Sequence, residues 1–297
     1  GNTSTISNND DHEAWYDPNQ KRPYWETHKE YLLEISKKPI DVVNEIDKST
    51  NEVLGLLESP HREGAWDRRG LVVGNVQSGK TSNFIALINK AADAGYKFIV
   101  VLSGLTRDLR RQTHERLDDG FFGFNTEQFE YDNFSKSNIL HLGKIREDKK
   151  ISRPNTYTSS AMNGDLTKAK LRAAINTHTE DLTLLCLKKN KTSLQNLIRY
   201  VLSSPDVSKD IVVQDKPFTV ISYKDNYTIT KIDEAEKYIK ENTKRPNYPL
   251  IKNKPILVID DEVDHASVDT GVGAIDENDE PNEEHDPKTI NRLIRQL

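Results

Sequence analysis

The chain has 297 residues, 35% of them hydrophobic and 30% charged, with a net charge of −5. It is long enough for one large core or two modest ones, and no run approaches the about 18 apolar residues of a membrane-spanning helix. A single cysteine, Cys186, excludes an intramolecular disulfide framework and a cysteine-rich zinc site, and the polar N-terminus has no secretory pattern; the expectation is a cytoplasmic protein without a membrane partner.

Residues 1–20 are polar and rich in Asn and Asp, and are expected to be a disordered tail. Residues 21–62 read as an N-terminal helical region. Val43, Ile46, Val53, Leu54 and Leu57 recur at helical spacing, Pro39 suits a first turn, and Pro60 closes the segment. From residue 63 onward, short apolar runs alternate with helical patterns. The run 71–73 leads through a glycine-containing loop into a helix over 81–94, closed by Gly95. The run 98–102 leads into a basic helix over 108–117. A further short apolar run spans 138–142. The run 182–187 precedes a helix whose Leu194, Leu197, Ile198 and Val201 share one face. Residues 217–222 read as a strand, and 255–260, "PILVID", as a wholly apolar strand ending in carboxylates. Strands of this kind alternating with helices predict an α/β fold with a parallel sheet covered on both faces. Acidic residues are dense after Asp260, so 267–287 is expected to be a solvated acidic loop. The closing "DPKTINRLIRQL" reads as a helix that ends without a cap, which predicts a piece of a longer protein.

Two segments carry phosphate chemistry. "LVVGNVQSGKTSNF" contains Gly-x-x-x-x-Gly-Lys-Thr between a strand and a helix. Gly74 and Gly79 let the backbone curl so that successive N–H groups, through Gln77 and Ser78, face a phosphate. The helix N-terminus, with Ser82 in its first turn, adds partial positive charge. Lys80 is expected to reach the β- and γ-phosphates of ATP, and Thr81 to place its hydroxyl on Mg²⁺. "ILVIDDEVDHAS" has the form of a strand that delivers acids to the carboxyl edge of a sheet, where ligands of open α/β sheets bind. Asp261 is expected to hold Mg²⁺, with Asp260 as substitute if the register shifts by one, and Glu262 to orient or deprotonate the attacking water.

A third segment, "VLSGLTRDLRRQT", points the output at a nucleic acid. Thr106-Arg107-Asp108-Leu109-x-x-Gln112 resembles motif Ia of superfamily 2 helicases, with Leu105 where that family usually has proline. A helix N-terminus bearing Thr106, Arg107 and Arg110 suits the phosphates of one DNA strand. Asp261-Glu262-Val263-Asp264 resembles motif II of the same superfamily. Lys188, Lys189 and Asn190 fall at the strand-to-helix junction where motif Ib lies, and are further candidates for strand contact.

"GLVVGNVQSGKTSNFIALINKAADAGYKFIVVLSGLTRDLRRQTHERLDDGFFG", together with "LCLKKNKTSLQNLIRYV", "VIDDEVDHAS" and "TINRLIRQL", resembles the Z1 domain family. The likeness runs from about Arg22 to Leu297. That family accompanies superfamily 2 helicase-type ATPases in bacterial restriction-modification and anti-phage defence loci, and is often labelled an endonuclease. The resemblance implies a RecA-like first lobe over 63–297, ATP and Mg²⁺ as cofactors, and DNA as substrate. It also implies methyltransferase, nuclease or other ATPase partners. Superfamily 2 motors close a second RecA-like lobe over ATP, and that lobe supplies an arginine finger. Motif II lies so near Leu297 that the second lobe is expected to be absent from this chain, which should then hydrolyse ATP weakly alone. The leading expectation is an ATP-dependent DNA translocase or remodelling ATPase. The alternatives are an ATP-dependent endonuclease subunit, for which Asp132 with Glu147-Asp148-Lys149 is the one nuclease pattern that can be assembled, and a nucleotide-gated switch that recruits partners without translocation.

Overall fold

The computed structural model describes residues 4–6, 12–64, 66–73, 80–128, 136–167, 169–170, 181–201, 211–214, 219–222, 227–229 and 255–261. Its strands are β1 (Ser4–Ile6), β2 (Leu71–Val73), β3 (Phe98–Ser103), β4 (Thr183–Lys188), β5 (Ile211–Gln214), β6 (Thr219–Ser222), β7 (Tyr227–Ile229) and β8 (Ile256–Asp260). Its helices are α1 (Pro23–Glu30), α2 (Ile40–Leu56), α3 (Lys80–Ala94), α4 (Arg107–Leu117), α5 (His141–Asp148) and α6 (Lys191–Val201). The fold is mixed α/β, with a parallel three-stranded sheet in the order β4-β3-β8 flanked by helices.

β3 is the middle strand of that sheet, and all six of its residues are buried. β4 is buried along five of six positions. Strands closed on both faces need side chains that are apolar throughout rather than alternating, which is what "FIVVLS" and "TLLCLK" supply. Ile88 and Ala91 of α3, Leu117 of α4, and Phe121 and Phe122 beyond it pack with Ile99, Val101, Leu184 and Leu257 in one core. A separate antiparallel sheet joins β5, β6 and β7.

The expected strand at 71–73 exists, but it lies outside the parallel sheet. β2 pairs antiparallel with β1, Ser4 opposite Val73 and Ile6 opposite Leu71. Leu71 and Val72 are 56% and 53% exposed; the pairing satisfies backbone groups without burying these side chains. The run at 138–142 is likewise no sheet strand: Ile139 makes a single antiparallel bridge to Phe124, and α5 begins at His141.

The N-terminal helices are fastened to α3 by polar groups. Lys90 is fully buried; its ammonium donates to the Asp47 carbonyl and carboxylate, both at 2.6 Å, and to Asn51 Oδ1 at 2.7 Å. It also lies 4.5 Å from the centre of the Trp25 ring. Arg22 opens α1 without a side-chain cap. The Asp93 carboxylate of α3 takes that role from a distance, accepting from the Tyr24 and Trp25 amides at 2.9 Å each. Gly95, at φ 111°, ends α3 in the left-handed region. Within the segment expected to be a tail, the Trp15 indole donates to the Leu57 carbonyl at 2.8 Å, and Trp15 and Tyr16 pack on the core.

His28 of α1 is buried against Tyr31 and Gly120. Burial, and then the nearby charge of Arg146, push its imidazole down to about 3. An unfolded imidazole titrates near pH ~6.5, so on acidification the unfolded chain takes up this proton first. The stability contributed by the neutral ring is therefore present above pH ~6.5 and is lost as the pH falls toward about 3. Asp93 acts in the opposite sense. Burial raises its carboxyl to about 6, so its contribution is present in acid and is lost as the pH rises through that value. Comparing the wild type with His28→Gln separates the two. The wild-type melting temperature should fall more steeply than the variant's between pH 7 and pH 4 (~3 pH units spanning the window of a buried histidine), and parallel profiles would contradict a buried neutral His28.

Candidate functional site

Parallel pairing brings the carboxyl ends of three strands to one edge. Ser103 lies opposite Lys188, and Leu102 opposite Asp260. The Asp261 amide donates to the Leu102 carbonyl at 2.9 Å, so the pairing runs one residue past β8. Lys189, just beyond β4, donates to Asp260 Oδ1 at 2.8 Å; its side chain is fully buried and that of Asp260 is 15% exposed. This ion pair commits Asp260 to the fold; the next residue, Asp261, is half-buried at the same edge. The pair also corrects the expectation for Lys189: a buried ammonium facing a neighbouring strand does not reach a DNA phosphate.

α4 starts at the same edge. The Thr106 hydroxyl accepts from the Leu109 amide at 3.2 Å, an N-cap, and Thr106 and Arg107 are both exposed. Gly104 permits the tight approach, because a Cβ there would fall 2.5 Å from Leu109 Cδ1. Arg110, one turn further, is turned inward and 1% exposed, and donates to the Ser159 carbonyl at 2.6 Å and to the Ala161 carbonyl. Its expected role in strand contact is corrected accordingly: the guanidinium satisfies two carbonyls of the 156–161 loop, and its planar fork suits that task. His114 and Asp118 continue the buried face. The His114 ring contacts Asp118 and Thr158 at 3.1 Å each, and Asp118 accepts from Thr126 and Ser160 at 2.9 Å.

Asn190 is also used locally. Its side chain accepts from the Ser193 amide at 2.8 Å, so it caps α6 and is 4% exposed. The expectation of strand contact by Asn190 is thereby corrected. Lys188 is half-buried at the end of β4, with its amide 3.4 Å from Asp165 Oδ2. The same Asp165 oxygen accepts from Ser193 Oγ at 2.8 Å. Sequence reasoning missed Asp165 as the organiser of this junction; it lies in a loop with no periodicity to mark it.

Of the residues expected to meet a nucleotide, Gly74, Gln77, Ser78, Gly79 and Glu262 lie outside the described residues, as do Asp132, Asp264, His265 and the acidic stretch 267–287. Lys80 is the first residue of α3, and Thr81 and Ser82 follow, half-buried, in its first turn. The Thr81 hydroxyl lies 3.1 Å from the Arg116 guanidinium, which donates to it from the last turn of α4. No hydrogen bond among the described residues joins Thr81 to Asp261. The donors present suit Mg²⁺, which prefers hard oxygen ligands such as a hydroxyl and a carboxylate. The Thr81 oxygen already faces a cation.

The Glu147-Asp148 part of the alternative nuclease pattern lies on a helix. Glu147 and Asp148 form the last turn of α5, with Glu147 3.8 Å from Arg153 and Lys149 paired with Glu30. Metal-dependent nucleases of that pattern hold their Glu-x-Lys on a strand. Cys186 is buried in β4, and burial pushes its thiol well above the usual range, so it offers no nucleophile. Among the described residues, no helix is long and apolar enough to cross a membrane.

Comparison of the chain with protein-family models, with curated proteins and with solved structures gives no match.

The Lys189–Asp260 pair allows a direct test. Removing one partner of a buried pair leaves an uncompensated charge, at a cost of about 3 kcal/mol. Lys189→Met should lower stability by that order in urea unfolding, and Lys189→Met with Asp260→Asn should recover a large part of the loss. A change within about 0.5 kcal/mol of wild type for the single variant would show that the pair does not hold the edge.

Proposed function

We propose that the chain binds Mg²⁺–ATP and hydrolyses it, as the first RecA-like lobe of a superfamily 2 helicase-like ATPase of the Z1 domain type acting on DNA. The observation that carries this reading is the register of β8 beside β3. It sets the Asp260–Asp261 carboxylates at the edge from which α4 departs, with the exposed Thr106 and Arg107 at its start. Ligands of open α/β sheets bind at that edge.

In this reading the backbone of 74–79 and the Lys80 ammonium orient the β- and γ-phosphates. Thr81 and Asp261 would hold Mg²⁺, which neutralises charge developing on the phosphate oxygens. Glu262 orients the attacking water and accepts its proton. Thr106 and Arg107 hold one DNA strand through its phosphates, and half-buried Lys188 lies at the same edge. The reading leaves Arg110, Lys189 and Asn190 out of the DNA-contact set, because each is buried with an internal partner. The helical placement of Glu147 and Asp148 disfavours the endonuclease alternative for this chain. A DNA translocase or remodelling ATPase of a restriction-modification or anti-phage system, completed by a second lobe and by methyltransferase, nuclease or ATPase partners, is the role that the Z1 resemblance supports.

Equilibrium binding of ATP with Mg²⁺ tests the reading. Lys80→Ala should weaken affinity at least about tenfold through loss of charge-assisted hydrogen bonds. Glu262→Gln should bind normally but hydrolyse about 100-fold more slowly or worse. Binding unaffected by Lys80→Ala would refute a phosphate role for the loop. Arg107→Ala should weaken single-stranded DNA binding and reduce its salt dependence by about one phosphate contact; DNA affinity unchanged at all salt concentrations would remove α4 from the interface.

A further inference from the structure

Arg116 belongs to none of the phosphate, metal or strand-contact motifs, yet it is the described side chain in hydrogen-bond contact with the Thr81 hydroxyl, 3.1 Å away and 35 residues distant in sequence. Its helix is held in place. Thr106 caps its start, Arg110 is bonded to the 156–161 loop, His114 contacts Asp118 and Thr158, and Leu117 is fully buried. Arg116 is exposed on this fixed support, and neighbouring Glu115 pairs with Arg111 at 3.6 Å. The fold therefore fixes the backbone from which Arg116 extends, and its guanidinium lies at the oxygen that the nucleotide reading gives to Mg²⁺.

We infer that Arg116 is a resident cation at Thr81, which competes with Mg²⁺ for the hydroxyl and sets the Mg²⁺ concentration at which the site loads nucleotide. This inference rests on the nucleotide reading of the site. A hydroxyl oxygen donating a lone pair to a metal about 2.1 Å away cannot keep a guanidinium hydrogen-bonded beside it without bringing two positive charges into close approach. Loading Mg²⁺ with nucleotide thus requires Arg116 to leave Thr81. Its long, flexible stem lets the guanidinium move while the backbone of α4 stays fixed. The same helix carries Thr106 and Arg107 at its other end, so one element links Thr81 to the strand-contact positions.

The test is a titration of MgCl₂ at fixed fluorescent ATP analogue, read by anisotropy, on the full chain. Arg116→Gln, which keeps a hydrogen-bond donor but removes the charge, should lower half-saturating Mg²⁺ about fivefold or more. Arg116→Lys, which keeps the charge, should stay within about twofold of wild type. Far-UV circular dichroism and melting temperature check that the exposed substitution leaves the fold intact. Unchanged half-saturating Mg²⁺ in Arg116→Gln, while Lys80→Ala abolishes binding, would overturn the inference and leave the nucleotide reading standing. Wild-type protein that binds no analogue at any Mg²⁺ concentration would overturn both.

Discussion

Parallel pairing on both sides of β3 constrains most of what this molecule can do. A strand paired in parallel on each edge must have its neighbours' carboxyl ends at its own carboxyl end, whatever loops connect them. Ser103, Lys188 and Asp260 are therefore forced to one edge of the sheet. The chain emerges there to form α4, α6 and the segment beginning at Asp261. The buried Lys189–Asp260 pair fastens that edge. A buried ion pair contributes little to net stability but is expensive to break from one side, so it fixes registry more than it adds strength.

α3 is the second organising element, and it faces several partners at once. Its apolar side chains enter the core beside β3. Lys90 gathers Asp47, Asn51 and Trp25, and Asp93 caps α1. Asn89 bonds the Gly120 carbonyl at 3.0 Å and receives Arg146 at 2.9 Å. Arg146 also lies over the rings of Tyr24 and Phe121, which brings α5 into the same assembly. α3 is thus braced by polar groups from α1, α2 and α5. Such networks favour a unique arrangement because each unpaired member would be costly. Helices α1 and α2 are supports of the candidate site rather than a loosely attached preface to it.

The sequence revealed those parts of this arrangement that depend on local pattern. β3 and β4 are legible because a short apolar run without alternation suits a strand covered on both faces, and β8 is legible from the same kind of run although only Leu257 of its five residues is buried. α4 is legible from its basic, helix-forming stretch, and α3 from its closure at Gly95. What escaped was decided by three-dimensional neighbours. Arg110 and Lys189 look like phosphate ligands in a one-dimensional reading, because charge and position do not reveal which way a side chain turns. Both turn inward to partners 49 and 71 residues away. Asn190 shares the ambiguity of all short polar residues before a helix, and here it caps. The three-residue β2 carries too little pattern to show that its partner is β1 rather than a strand of the parallel sheet. Arg116 was hidden in plain view among the basic residues of α4, since only folding brings it to Thr81.

In the proposed reading the Gly74–Thr81 segment and the Asp261 end of β8 form one nucleotide site, although they are separated by most of the chain. Amide hydrogen exchange measured with and without ATP and Mg²⁺ addresses that claim directly, because it reads both segments in the same experiment. Slowed exchange is expected in two peptides together, one covering 74–84 and one covering 257–264, with both effects lost in Lys80→Ala. Protection confined to only one of the two, or protection that survives Lys80→Ala, would contradict a shared site.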